Sequence, residues 1–276
     1  MVKVSIELIS RGEETIKKVL ESIDKQSFKN IEIVAVIAAN SSYTYRVLKD
    51  FDANVVEVPP KTGHLEARFI ANEYATGEYR LLLDSTRPLE LNAINLLITK
   101  YQSYSAVCLR EGSIGSGFWV RQAQMLKELS DYSFFQTRGR NIAYILPRFY
   151  KAKILDSGFL FLKNRISDNL FKSISYGEHH LIYEACNLNG EDVTLTDEVL
   201  INHFEDQSLS SILKKYKRYG EAQTYVNKIK FDSSSKDIWS HKRPFVHKNL
   251  KLELKTIPIR LIRTISFIAG LIVSFF

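Results

Sequence analysis

The sequence predicts an α/β fold built on a mostly parallel sheet with helices on both faces. Two observations in its first ninety residues carry that expectation. β-branched apolar runs alternate with stretches of helical periodicity, and the second run, IEIVAVIAA, is apolar enough for a strand covered on both sides.

Each element follows in order. VSIELIS (Val4–Ser10) reads as the first strand, since the opening MVKVSIELIS is too short an apolar run for a signal peptide. Glu13–Asp24 places Ile16, Val19, Leu20 and Ile23 at helical spacing. Ile31–Ala39 is the buried strand, Tyr43–Phe51 a second helix, and NVVEVP a short third strand. A helix over His64–Ala75 closes at Gly77, and YRLLLDS (Tyr79–Ser85) is the next strand. In such sheets ligands lie beyond the carboxyl ends of the strands. Those ends fall at Ser10–Glu13, Ala38–Ser41, Pro59–Gly63 and Asp84–Thr86, which makes Ser10, Glu13, Ala38, Asn40, Gly63, Asp84 and Ser85 candidate ligand contacts.

With 276 residues, 45% apolar and 25% charged, the chain has enough material for a large core, and neither a disordered nor a fibrous class fits. Cys108 and Cys186 are far apart and form no metal-ligand spacing, so neither a disulfide scaffold nor a cysteine zinc site is expected. The net charge of +7 hides an asymmetry. From Ser210 onward there are 14 Lys+Arg against 4 Asp+Glu, whereas the preceding residues carry 24 against 27. Nucleic acid and anionic membrane are the partners such a segment attracts. The apolar run TISFIAGLIVSFF (Thr264–Phe276), with Arg260 and Arg263 just before it, favours membrane. No RNA- or DNA-binding motif supports nucleic acid. Thirteen residues reach about 20 Å against a hydrocarbon core of about 30 Å, so the run reads as an interfacial anchor or the first part of a spanning helix. A helix packed on the protein's own core is the alternative.

Three side chains or clusters could carry chemistry. Asp84 ends a buried strand and projects into the ligand crevice, although a cap or turn residue ahead of Pro88 would look the same. Arg68, on the helix before that strand, could reach a diphosphate. Between Gly177 and Asp206 lie Glu178, His179, His180 and His203, imidazoles suited to metal binding or general base work. They match no structural zinc pattern and no HExxH motif.

Order and context together resemble an inverting family 2 glycosyltransferase of GT-A fold. VSIELIS is similar to that family's opening strand, and QSFKNIEIV (Gln26–Val34) to its helix–strand junction. GHLEARFIANEYATGEYRLLLDS (Gly63–Ser85) resembles the block "G-x-x-x-A-R-N-x-x-x-x-x-A-x-G-E-Y-x-x-x-L-D-x-D". ILPRFYKAKIL resembles the start of the acceptor half, YGEHHLIYEAC the "gED" helix, and VLINHFEDQSLSSILKKYKRYGEA the closing segment. The likeness covers about residues 2–225, strongest at 26–86 and 176–220.

The resemblance implies a nucleotide-sugar donor, a lipid-linked or surface-glycan acceptor, and work at the cytoplasmic face of the cell membrane. Residues 1–230 would form the transferase domain, with 1–100 its nucleotide-binding half and 101–230 its acceptor half. Residues 231–276 would be a basic linker, FDSSSKD at its start, and a membrane-associating segment. Asp84 would start the DxD motif and, with Thr86 and His203, hold Mn²⁺ or Mg²⁺. Arg68 would steady the nucleotide or diphosphate. His179, ahead of Glu178, would take the acceptor's proton. Gly115–Leu129 would be an acceptor-loop helix or a dimer contact in a homo-oligomer.

Departures from the family pattern are part of the expectation. Ala38-Ala39-Asn40-Ser41 replaces DDGS, Thr86 replaces the second Asp of DxD, and His179 replaces the Asp of gED. Three carboxylates fewer weaken a hard divalent cation. A non-catalytic pseudoglycosyltransferase, acting as a membrane-bound assembly partner, is the alternative function.

Overall fold

The computed structural model describes residues 2–136, 146–188, 192–226, 229 and 250–273. Seven strands form one sheet in the order β3-β2-β1-β4-β6-β5-β7. Strands β1 (Val4–Ser10), β2 (Ile31–Ile37), β3 (Asn54–Glu57) and β4 (Tyr79–Asp84) are parallel. Strand β6 (Pro147–Lys151) runs antiparallel to β4, and β5 (Ala106–Ile114) antiparallel to β6. The mostly parallel sheet expected from the sequence is present, with β7 (Val193–Phe204) at its edge. The chain divides into two compact units: residues 1–111 with 146–203, and residues 112–145 with 204–276. That division differs from cuts near 100 and 230, because β5 and β7 each end one unit and lead into the other. The expected linker at 231–237 lies outside the described residues.

In the first unit the period of two along each strand sorts the core. Val4, Ile6 and Leu8 of β1, Ile33, Ala35 and Ile37 of β2, and Leu81 and Leu83 of β4 pack with α1 (Ile16–Asp24), α2 (Ser42–Lys49) and α4 (Ala93–Lys100). The alternate residues Ile9, Val34 and Val36 meet Ala67, Ala71 and Ala75 at α3 (His64–Tyr74). Helix α1 begins three residues later than expected because Glu13 is taken up elsewhere, as described below.

On that second face the sheet is also polar. Glu7 is fully buried and Arg80 lies 3.6 Å from it. Arg80 also donates to the carbonyls of Gly77 and, at 2.9 Å, Ala75. Gly77 is required because a Cβ there would meet the Ser5 nitrogen at 2.7 Å. Burial raises Glu7 from 4.5 to about 8 against the pull of Arg68 and Arg80. The folded chain therefore holds a proton on Glu7 between about pH 4.5 and 8 that the unfolded chain has lost. Stability falls as pH rises through that window, by at most about 1.4 kcal/mol per pH unit. Glu7→Gln should flatten this dependence, as measured by urea unfolding at pH 5 and pH 8.

The second unit contains α5 (Phe118–Gln136), α9 (Leu209–Val226), α10 (Leu250–Lys255) and α11 (Ile257–Val273), while α6 (Ala152–Arg165), α7 (Asp168–Ser173) and α8 (Glu178–Ala185) belong to the first. Segment Gly115–Leu129 falls largely on α5, which packs against α10 and α11. Lys127 of α5 pairs with Glu205 at 2.5 Å. Helix α11 starts seven residues before the apolar run that announced it and lies on α9 through two glycines. A Cβ on Gly270 would stand 1.9 Å from the Lys217 carbonyl oxygen. Gly270→Ala should therefore force the helices apart at a cost of about 1–3 kcal/mol, seen as faster amide exchange across 257–273. The opposite face of α11 exposes Ile257, Leu261, Ile265, Ile268 and Ile272. Among the described residues no helix is long and apolar enough to cross a membrane.

Candidate active site

The site lies where the strands of the first unit end. Asp84, last residue of β4, pairs in register with Ile9 of β1 and sits on the polar face of the sheet. Arg68 rises from α3 beneath it with a side chain that is 0% exposed. Its Nη1 donates to the carbonyls of Glu7 (2.7 Å) and Leu83 (2.8 Å), and its Nη2 to Asp84 Oδ1. One guanidinium thus ties β1, β4 and the Asp84 carboxylate together. It reaches the crevice through Asp84, not as the exposed cation expected of a diphosphate contact.

The other carboxylate oxygen, Oδ2, accepts from Arg87, three residues on, and from Arg148 of β6 at 3.3 Å. Burial would raise the Asp84 pKa, but Arg87, Arg68 and Arg148 outweigh it and hold the carboxyl well below the usual range. Arg87 Nε also donates to Glu111 at 2.9 Å, and the other oxygen of Glu111 stands 4.0 Å from His203 Nδ1. Arg148 is lowered to about 10 by burial and by Arg87.

Gly177, in the left-handed region at φ 78°, starts α8, whose Glu178 and His179 face this cluster. His179 Nε2 lies 3.2 Å from Arg148 Nη1 and so accepts from it, while Nδ1 is buried without a hydrogen-bond partner. Burial, then Arg148 and Arg68, push the imidazole well below its ordinary pKa. His179 is neutral with its lone pair engaged. To take the acceptor's proton, as the motif implies, His179 must first release Arg148 from Nε2, since a base needs a free lone pair. Glu178, with Oε1 3.9 Å from His64 Nδ1 and 3.7 Å from His179 Nε2, keeps a carboxylate in the same place.

The remaining expected contacts divide into supports and surfaces. Glu13 Oε2 accepts from Ser10 Oγ (2.9 Å), the Arg11 amide (2.8 Å) and Ser85 Oγ (2.5 Å), which fastens the loop after β1 to the end of β4. Ser85 and Ser10 are buried in this lock. Ala38 is buried just past β2, and its amide donates to the Ser10 carbonyl. Asn40 is exposed. Gly63 is buried against the end of α7, where a Cβ would meet the Ile174 oxygen at 2.5 Å, so it serves packing. Beyond β1 and β2 a cleft of about 360 Å³ is lined by Gly12, Glu14, Ser41 and Tyr43.

The strand-end aspartate lies in the Gly63–Ser85 motif, and the helix that carries His179 to Arg148 lies in the Gly177–Cys186 motif. The family model described as Glycosyl transferase family 2 matches residues 8–171, more than half of the chain. The chain belongs to glycosyl transferase family 2. It is a glycosyltransferase with the GT-A architecture. S. aureus TarS 1-349 has a similar fold: TM-score 0.56 at 17% identity, covering 98% of this chain and 81% of that one. The same TarS fragment in complex with UDP-GlcNAc matches at TM-score 0.53 and 16% identity, over 98% of this chain and 81% of that one. Glucosyl-3-phosphoglycerate synthase from Mycobacterium tuberculosis, in complex with phosphoglyceric acid, matches at TM-score 0.52 and 14% identity, over 82% and 79%. Against the longer TarS chain, at TM-score 0.54 and 17% identity, 85% of this transferase aligns but only 41% of TarS is spanned. No curated protein matches.

Family 2 transferases commonly use a divalent cation, and Glu111 with His203 supplies a carboxylate and an imidazole that could serve one. The strand end itself does not fit Mn²⁺ or Mg²⁺. Both oxygens of Asp84 already carry guanidiniums, and Thr86 offers only a hydroxyl. Three arginines there oppose a further cation. Arg87, Arg148 and Glu111 escaped the sequence reading. Arg87 directly follows the DST triplet and was within reach of it. Arg148 and Glu111 are 64 and 27 positions from Asp84, and only sheet pairing brings them near.

Proposed function

We propose that this family 2 transferase moves a hexose, with inversion, from a nucleoside diphosphate sugar to a lipid-linked or surface-glycan acceptor at the cytoplasmic membrane face. The observation that carries it is Asp84 at the end of β4, locked through Ser85 and Glu13 to the loop after β1, whose Gly12 and Glu14 line the cleft beyond β1 and β2. That TarS was captured with UDP-GlcNAc and with UDP favours a uridine diphosphate donor. The acceptor hydroxyl attacks the anomeric carbon opposite the diphosphate while Glu178 takes its proton. The bond from that carbon to the phosphate oxygen breaks, and its electron pair leaves with the nucleoside diphosphate.

The membrane reading is supported by the exposed apolar stripe of α11 next in sequence to a strongly basic segment. Such a helix would lie in the interface with its apolar side in lipid. Vesicles containing phosphatidylglycerol should float the protein and pure phosphatidylcholine vesicles should not, and Leu261→Asp with Ile265→Asp should abolish flotation. Equal flotation by all would remove the membrane from the proposal.

The chemistry is tested by following UDP and GDP release from their common sugar conjugates with a polyprenyl phosphate and a polyprenyl-diphosphate sugar as acceptors. Glu178→Gln should lower turnover about 100-fold or more on the sugar hydroxyl, as expected for loss of a general base. His179→Gln should lower it far less. A larger loss from His179→Gln would return the base to His179.

A further inference from the structure

We propose that Arg87 and Arg148 bind the donor's diphosphate directly, two guanidiniums standing where a DxD motif with both acids would place a divalent cation. This rests on the donor reading above. The two side chains keep some exposure, 19% and 13%, whereas Arg68 is fully buried. Every hydrogen bond that Arg148 makes among the described residues leaves from Nη1, to Leu82, Asp84 and His179, so Nε and Nη2 keep donor capacity. A planar fork of this kind matches two phosphate oxygens at once.

The pairing of charges points the same way. Arg68, Arg87 and Arg148 all end on Asp84, so three guanidiniums meet one carboxylate at that strand end, with Glu111 on Arg87 alone and Glu178 beyond His179. Two departures from the family pattern both act here. Thr86 stands between Asp84 and Arg87, and His179 touches Arg148. An aspartate at either place would cancel a guanidinium that a diphosphate could otherwise use. The neutral imidazole instead steadies Arg148 through Nε2 without consuming its charge. An acidic motif built for a cation and an arginine cluster built for an anion are alternatives, and the residues present make the second.

The test is calorimetric titration of UDP, inorganic pyrophosphate and uridine into the full chain, once with EDTA and once with Mn²⁺. Binding of UDP and pyrophosphate should be the same within about twofold in both, and Arg148→Gln should weaken both ligands about 10- to 100-fold, the effect of losing a charge-assisted pair. Uridine should not respond to that substitution. Should Arg148→Gln fail to melt cooperatively, Thr86→Asp serves instead, weakening metal-free binding about tenfold by placing a carboxylate beside Arg87. UDP binding that needs Mn²⁺ overturns the proposal and leaves the donor reading standing. Arginine-dependent binding of pyrophosphate without any of UDP would do the reverse. Silence from every ligand sinks both.

Discussion

Asp84→Ala is expected to abolish glycosyl transfer and to destabilise the first unit by about 3–5 kcal/mol, the range for removing one partner of a buried charged pair. Both effects come from one geometry. The carboxylate accepts from Arg68 on one oxygen and from Arg87 and Arg148 on the other. Without it three guanidiniums crowd one strand end, and the wall of the donor crevice loses its fixed anion. Asp84→Asn keeps an acceptor for Arg68 and should recover part of the stability while transfer stays at least about 100-fold down. Urea unfolding and a radiolabelled transfer assay separate the two. Transfer by Asp84→Ala at the wild-type rate would remove Asp84 from the proposed site.

The second large effect belongs to Arg68→Met, expected at about 3–5 kcal/mol in stability with no exposed surface changed. Arg68 is fully buried, and its hydrogen bonds end on two strand carbonyls and Asp84. Methionine fills much of the volume but removes the guanidinium's bonds to the Glu7 and Leu83 carbonyls, which keep only their ladder partners, and leaves Asp84 Oδ1 without its buried cation. Arg68→Lys should lie between, since an ammonium cannot reproduce the planar fork. The two sites are in contact, so their effects should not add. The double variant Asp84→Asn, Arg68→Met should be less destabilised than the sum of the singles, because each removes what the other left unpaired. Additivity within about 0.5 kcal/mol would show that the pair is not coupled.

Arg68 also marks how far the sequence could lead. Its place in "G-x-x-x-A-R" tied it to the donor site, and it does stand one side chain from the crevice. What the motif could not say is which way the guanidinium points. That depends on α3 lying on the polar face of the sheet, where period two along β1 and β4 puts Glu7, Arg80 and Asp84 together. His179 makes the same point in reverse. Its position in the motif suggested a base, and only its contact with Arg148, from a strand 31 positions away, shows its lone pair engaged.

By itself the sequence determined the strand–helix alternation, the parallel half of the sheet, the family and the strand-end location of Asp84. These rest on local signals: apolar period, glycines where backbones meet, and a motif held within about twenty residues of chain. The tertiary structure alone decided the charge of the site. Arg148 enters on a strand antiparallel to β4, Glu111 comes from β5 and Arg68 from beneath, and none of these approaches is written in residue spacing. The tail divides the same way. Composition announced a basic, apolar segment, but which face of α11 is spent on α9 and which is left outward follows from Gly270 meeting the Lys217 carbonyl. Electrostatic character is a sum over neighbours in space, and neighbours in space are what folding supplies.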